Sequence, residues 1–151
     1  QGEHARLCRS RLVDGEYQEP EDLAAQVNFG QDNYNGFVAR DESYLVYCVA
    51  DHESNLGETD YYICFRDEDD SWSEAVNLGE PFNAVGARAS SACVSPDGKY
   101  FFYATDQTNE AEVLPDGKLT VETLRRLHSG AQNGSSDIYW VEADFLEGLR
   151  P

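Results

Sequence analysis

Val94-Ser95-Pro96-Asp97-Gly98-Lys99-Tyr100-Phe101-Phe102 decides how this chain folds. Pro96 presets its own φ for the second position of a tight turn, and Gly98 accepts a backbone conformation that would strain any larger residue. The flanks are β-branched and aromatic, so a short strand at 91–95 enters the turn and a longer one at 99–105 leaves it. The same order recurs 56 positions earlier, where Val38, Asp41, Tyr44 and Tyr47 match Val94, Asp97, Tyr100 and Tyr103.

A second pair of segments repeats as well. Residues 6–28 laid over 61–83, an offset of 55, match Arg11 with Arg66, Asp14 with Asp69, Tyr17 with Trp72, Leu23 with Leu78 and Asn28 with Asn83. Each unit then reads as four strands: a at 36–39 and 91–95, b at 44–49 and 99–105, c at 60–66 and 137–142, d at 17–23 and 72–78. A four-stranded repeat of this length predicts an all-β chain of antiparallel β-propeller blades, a partial propeller with a short helical insertion. The division is a half blade at 1–28, a blade at 29–84, and a blade at 85–151 that carries an inserted loop at 107–136 and a C-terminal helix. Within the insertion, 119–127 has helical spacing, with Thr120 as N-cap and Gly130 as stop, after a turn at Pro115-Asp116-Gly117. At the end, 142–149 reads as a short amphipathic helix that packs Phe145, Leu146 and Leu149 where a fourth strand is lacking, and so covers the sheet edge.

These residues resemble the TolB-type, WD40-like propeller repeat. The stretch quoted first looks like its signature, Ser136-Asp137-Ile138-Tyr139-Trp140-Val141 like the strand that follows, and Ser71-Trp72-Ser73-Glu74-Ala75-Val76-Asn77-Leu78-Gly79 like its strand d. The middle unit departs from it, with Arg40-Asp41-Glu42-Ser43 in place of Ser-Pro-Asp-Gly. The resemblance implies a module of exported or periplasmic proteins that binds a protein partner or another ligand. Its alternatives are a carbohydrate-active hydrolase or lyase, or an accessory propeller domain of a larger enzyme. No catalytic residue of such enzymes can be placed here, and the motif's residues are structural.

Charge narrows the partners. With 29 acidic and 11 basic residues the net charge is −18, which repels phosphate backbones and anionic lipid, so neither nucleic acid nor an anionic membrane is expected. No apolar run reaches a membrane span, no signal peptide is read, and a start at Gln1-Gly2 is open to a cleavage scar, a processed start or a fragment boundary. Cys8, Cys48, Cys64 and Cys93 form no C-x-x-C pair; buried free thiols are expected, with one disulfide or a metal site as the other readings.

No nucleophile elbow, P-loop or paired histidine ligands occur, so no catalytic residue and no resident metal is assigned. Calcium is the one cofactor considered, at Asp67, Asp69 and Ser71 or at Asp51, Glu53, Glu58 and Asp60. The strand aromatics Tyr61, Tyr62, Trp72, Tyr100, Tyr103, Tyr139 and Trp140 are expected in the core. Tyr34 and Phe82, in connections between units, and the loop histidines His52 and His128 are the candidate ligand-facing residues. Rings of this kind close at about 4–8 blades, so the partial ring is expected to be part of a larger propeller or to associate with further copies.

Overall fold

The computed structural model describes residues 4–108 and 119–151. It is mostly antiparallel β-sheet with few helices, and no described helix is long and apolar enough to cross a membrane. The turn at Pro115-Asp116-Gly117 lies outside the described residues. Short strands β1 (Cys8–Arg9) and β4 (Glu21–Asp22) pair, with the hairpin β2 (Leu12–Val13) and β3 (Glu16–Tyr17) at their tip. A four-stranded sheet follows in the order β5 (Asp32–Val38), β6 (Tyr44–Ala50), β7 (Thr59–Phe65), β8 (Val76–Asn77). A three-stranded sheet comes last, β9 (Ala89–Val94), β10 (Tyr100–Thr105) and β11 (Asp137–Glu142).

The repeat is visible in individual hydrogen bonds. Ala39 N–H donates to Tyr44 O and Glu42 N–H to Ala39 O; 56 residues on, Ser95 N–H donates to Tyr100 O and Gly98 N–H to Ser95 O. Asp41 and Asp97 each cap their turn, accepting from the backbone N–H of Ser43 and Lys99. Glu42 and Gly98 both sit at positive φ, 59° and 78°, so the middle unit makes with glutamate a turn that suits glycine.

The second repeated device is an asparagine that brackets a strand. Asn83 accepts from Tyr61 N–H at 2.7 Å and donates to Tyr61 O at 3.0 Å, and Asn28 does the same to Leu7, at 2.8 Å both ways. Each follows a tight loop closed by paired bonds, to Ala24 O in the first unit and Gly79 O in the second. The bracket corrects the sequence register. Leu7 corresponds to Tyr61 at an offset of 54, while Leu23 and Leu78 keep 55, because the turn after Arg66 is one residue longer than the Asp14-Gly15 turn. Arg66 is therefore the counterpart of Leu12, not Arg11.

Two cores result. Val27, Leu45, Tyr47, Val49, Tyr62 and Cys64 pack under the N-terminal strands, with Leu7 and Leu23 against them. Val46, Cys48, Tyr61, Ile63 and Phe65 face the second sheet and meet Phe101 and Tyr103. Both faces of β6 and β7 are thus covered, which is why these strands are continuously apolar. The Tyr61 hydroxyl ties the sheets: it accepts from the backbone N–H of Ser90 and Ala104 and donates to the carbonyl of Ala104 or Ser91.

The last unit ends as a 3-10 helix, Ala143–Leu149, with Leu146 buried and Phe145 stacked on Phe82 at 4.6 Å between ring centres. Its apolar side chains enter the core between the sheets, while Ile138 and Trp140 on β11 stay exposed. In the insertion, α1 (Val121–Ser129) starts at Thr120, whose side chain accepts from Thr123 N–H, and none of its residues is buried. Cys48 and Cys64 are buried free thiols, their pKa values pushed up to about 12 and about 11 by burial. Cys8 and Cys93 are free but exposed, which corrects the expectation of buried thiols at these two positions.

Two substitutions test this framework. Space is open around Gly98, so Gly98→Val acts through backbone strain alone and should destabilise the fold by about 1–3 kcal/mol in urea melts, with Gly98→Asn much closer to the parent. Asn83→Ala should cost about 1–3 kcal/mol, because it strands the buried N–H of Tyr61 while Leu78 N–H still satisfies the Tyr61 carbonyl, and Asn28→Ala, at a half-buried bracket, should cost less.

Candidate binding groove

The N-terminal strands lean on the first sheet and leave a groove of about 780 Å³ between them. Leu7, Leu23, Val38, Leu45 and Trp72 supply its apolar walls. Among the described residues β1 pairs with β4 alone, whereas β7 and β11 are each paired with the strand that precedes them in their unit. Leu7 and Arg11 turn their carbonyls toward the β4 side, where Leu23 and Gln18 donate to them. By the alternation of an antiparallel ladder, the backbone groups of Cys8 and Ser10 face the other way, along the groove. An unpaired edge beside an apolar wall can take an added strand.

An ion-pair network lines the groove. Asp70 sits at φ 72° in the acidic turn and receives three guanidinium groups: Arg9 at 2.6 Å, Arg11 at 2.7 Å and Arg66 at 2.7 Å. Arg9 and Arg11 share Glu21, and Arg66 also reaches Glu42. Hydrogen bonds from Arg9, then Arg11 and Arg66, hold the Asp70 carboxyl well below the usual carboxylate range. The network joins the N-terminal strands to the turn after β7, in a chain where cations are scarce.

The residues singled out from sequence lie elsewhere and apart. The Tyr34 hydroxyl hydrogen-bonds Thr59 at 3.0 Å, and burial raises its pKa. Phe82 is buried in the core between the sheets, not turned to a ligand; its counterpart Val27 is buried too. His52 accepts from Ser54 N–H and lies edge-on to Phe29 at 4.9 Å, so it braces its own loop. His128 is exposed in the last turn of α1. Among the described residues no hydrogen bond or ring contact joins any two of these four.

Three of the acidic groups considered for calcium, Asp60, Glu58 and Asp69, are otherwise engaged. Asp60 is buried and accepts from the N–H groups of Leu56 and Gly57 and from Asn77. Glu58 faces Arg88, and Asp69 caps Ser71. Among the described residues no three His, Cys, Asp or Glu side chains are grouped to hold a metal ion. Against models of protein families, curated proteins and solved structures, the chain has no match.

The pH dependence of the Asp70 network has a definite sign. A carboxylate whose pKa is depressed by folding stabilises the protein above its unfolded value, about 4, and the contribution fades as pH falls toward the folded value. Asp70→Asn should lower the melting temperature at pH 7 and expose residues 4–28 to limited proteolysis. The gap between variant and parent should stay constant down to about pH 4 and narrow below it.

Proposed function

We propose that this chain is a run of propeller blades of the TolB-like kind, working as a protein-binding scaffold whose receiving surface is the groove along β1. The observation that carries this reading is the edge of β1 that no other described strand pairs, beside the apolar wall of the first sheet. An extended segment or hairpin laid there satisfies the backbone groups of Cys8 and Ser10, and its alternate side chains enter the groove. The repeated turn and bracket support the blade reading, because each successive sheet is built and attached in the same way.

The chain supplies its own probe. A synthetic peptide of residues 32–50 spans β5 and β6, the first two strands of a unit. Added to the protein, it should slow hydrogen exchange at the amides of Cys8 and Ser10 and shift the fluorescence of Trp72, which lines the groove. Unchanged exchange at those two amides under saturating peptide would overturn the reading.

A further inference from the structure

We propose that Asn133-Gly134 is a self-modifying site, at which the Asn133 carboxamide loses ammonia and the product releases the end of the inserted helix α1. The chemistry needs only water. The backbone nitrogen of Gly134 attacks the Asn133 Cγ and forms a C–N bond. The Cγ–Nδ2 bond breaks, and that nitrogen leaves as ammonia with the proton that the Gly134 amide gives up. Water then opens the cyclic imide at one carbonyl to give aspartate, or at the other to give isoaspartate, whose main chain runs through the former side chain. Glycine favours the first step, because no Cβ shields the attacking nitrogen.

Asn-Gly occurs at two places in the chain, Asn35-Gly36 and Asn133-Gly134, and the fold treats them differently. Asn35 lies inside β5, with Tyr34 paired to Cys48 before it and Phe37 paired to Val46 after it. Its carboxamide donates to the carbonyl of Ser90 in the next sheet, and Gly36 packs against Leu45 and Leu7. Closing an imide there means turning the backbone inside a paired strand. Asn133 stands in the connection between α1 and β11, where Gly134 is exposed at φ 84°. Its Oδ1 accepts from Ser135 N–H at 2.8 Å. That bond closes a ring containing both Cγ and the Gly134 nitrogen, so the reacting atoms are held on one side of the chain. The same N–H stabilises the charge that develops on Oδ1 as Gly134 attacks.

Asn133 is also a latch on the insertion. Its Nδ2 donates to Leu127 O at 2.8 Å, at the end of α1, and its backbone pairs with Thr108 at the neck of the insertion. No residue of α1 is buried, so packing does little to hold the helix in place. Aspartate at this position removes the donor and sets a carboxylate against the negative end of the helix. Isoaspartate also adds a methylene to the main chain at the residue that pairs with Thr108. Either product frees the end of α1. No residue of 119–136 belongs to either core, so the sheets stay as they are.

Peptide mapping of the full chain tests the chemistry. Folded protein is kept in mildly alkaline buffer, which speeds loss of the amide proton, beside a sample unfolded in guanidinium chloride, and both are then digested with trypsin. In the folded sample, peptide 127–150 should gain about 1 Da, NH2 exchanged for OH, placed at Asn133 by fragmentation, while peptide 12–40, which holds Asn35, stays unchanged. In the unfolded sample both peptides should gain it. Peptide 127–150 unchanged in the folded protein overturns the proposal, as do equal rates of gain at Asn35 and Asn133 there. Asn133→Asp, which carries one of the two products from the start, tests the latch. Brief trypsin treatment of this folded variant should cut α1 after Arg125 or Arg126 several-fold faster than in the parent, with the circular dichroism and melting of the sheets unchanged. Cleavage at the parent's rate overturns the claim that the modification releases α1.

Discussion

A carboxamide set against a single residue of a strand governs how this chain is assembled. Asn83 satisfies both the N–H and the C=O of Tyr61. The connection leaving β8 is thereby pinned to β7, and the chain enters β9 from a fixed point. With that entry fixed, Glu58 N–H reaches Ala87 O and Thr59 bridges to Arg88, so β9 begins alongside β7. Asn28 does the same for Leu7 one unit earlier, and Asn33 N–H then donates to Ala5 O. The sheets are stacked in one manner because each connection is clamped in one manner. Apolar burial drives the stacking, and the amide bonds choose its geometry.

Much of the frame could be read from the chain, and the reason is local. Strands β6, β7, β10 and β11 follow from runs of aromatic and β-branched residues, and the turns at Asp41 and Asp97 from side chains that bond within two residues. Thr120 capped its helix for the same reason. Asn28 and Asn83 fell in register, but nothing in the sequence stated that they bracket a strand 21 or 22 residues earlier. Asp70 was hidden more deeply. It ends the run Asp67-Glu68-Asp69-Asp70, where nothing local sets it apart, while its partners Arg9 and Arg11 lie 61 and 59 positions away.

Phe82, Tyr100 and Trp140 show the other side of that limit. Phe82 stands in a connection, where an aromatic suggests a ligand, yet the connection folds inward and stacks the ring on Phe145. One signal was present: Val27-Asn28 and Phe82-Asn83 both place an apolar residue before the bracketing asparagine, as a buried position would. Tyr100 and Trp140 stand in strands and so read as core, but their face of the second sheet is uncovered. Strand pattern tells which residues share a face, and only the neighbouring sheet decides whether that face is buried.

The Tyr61 hydroxyl, bonded to backbone groups of both β9 and β10, couples one sheet to the next and to no other. Stability in such a stack is a sum of unit terms and nearest-neighbour terms, as in a one-dimensional cooperative array. The four-stranded sheet has a neighbour on each side and is held twice. Exposing it therefore means displacing both neighbours, and Cys48 and Cys64, buried inside it, are shielded by both.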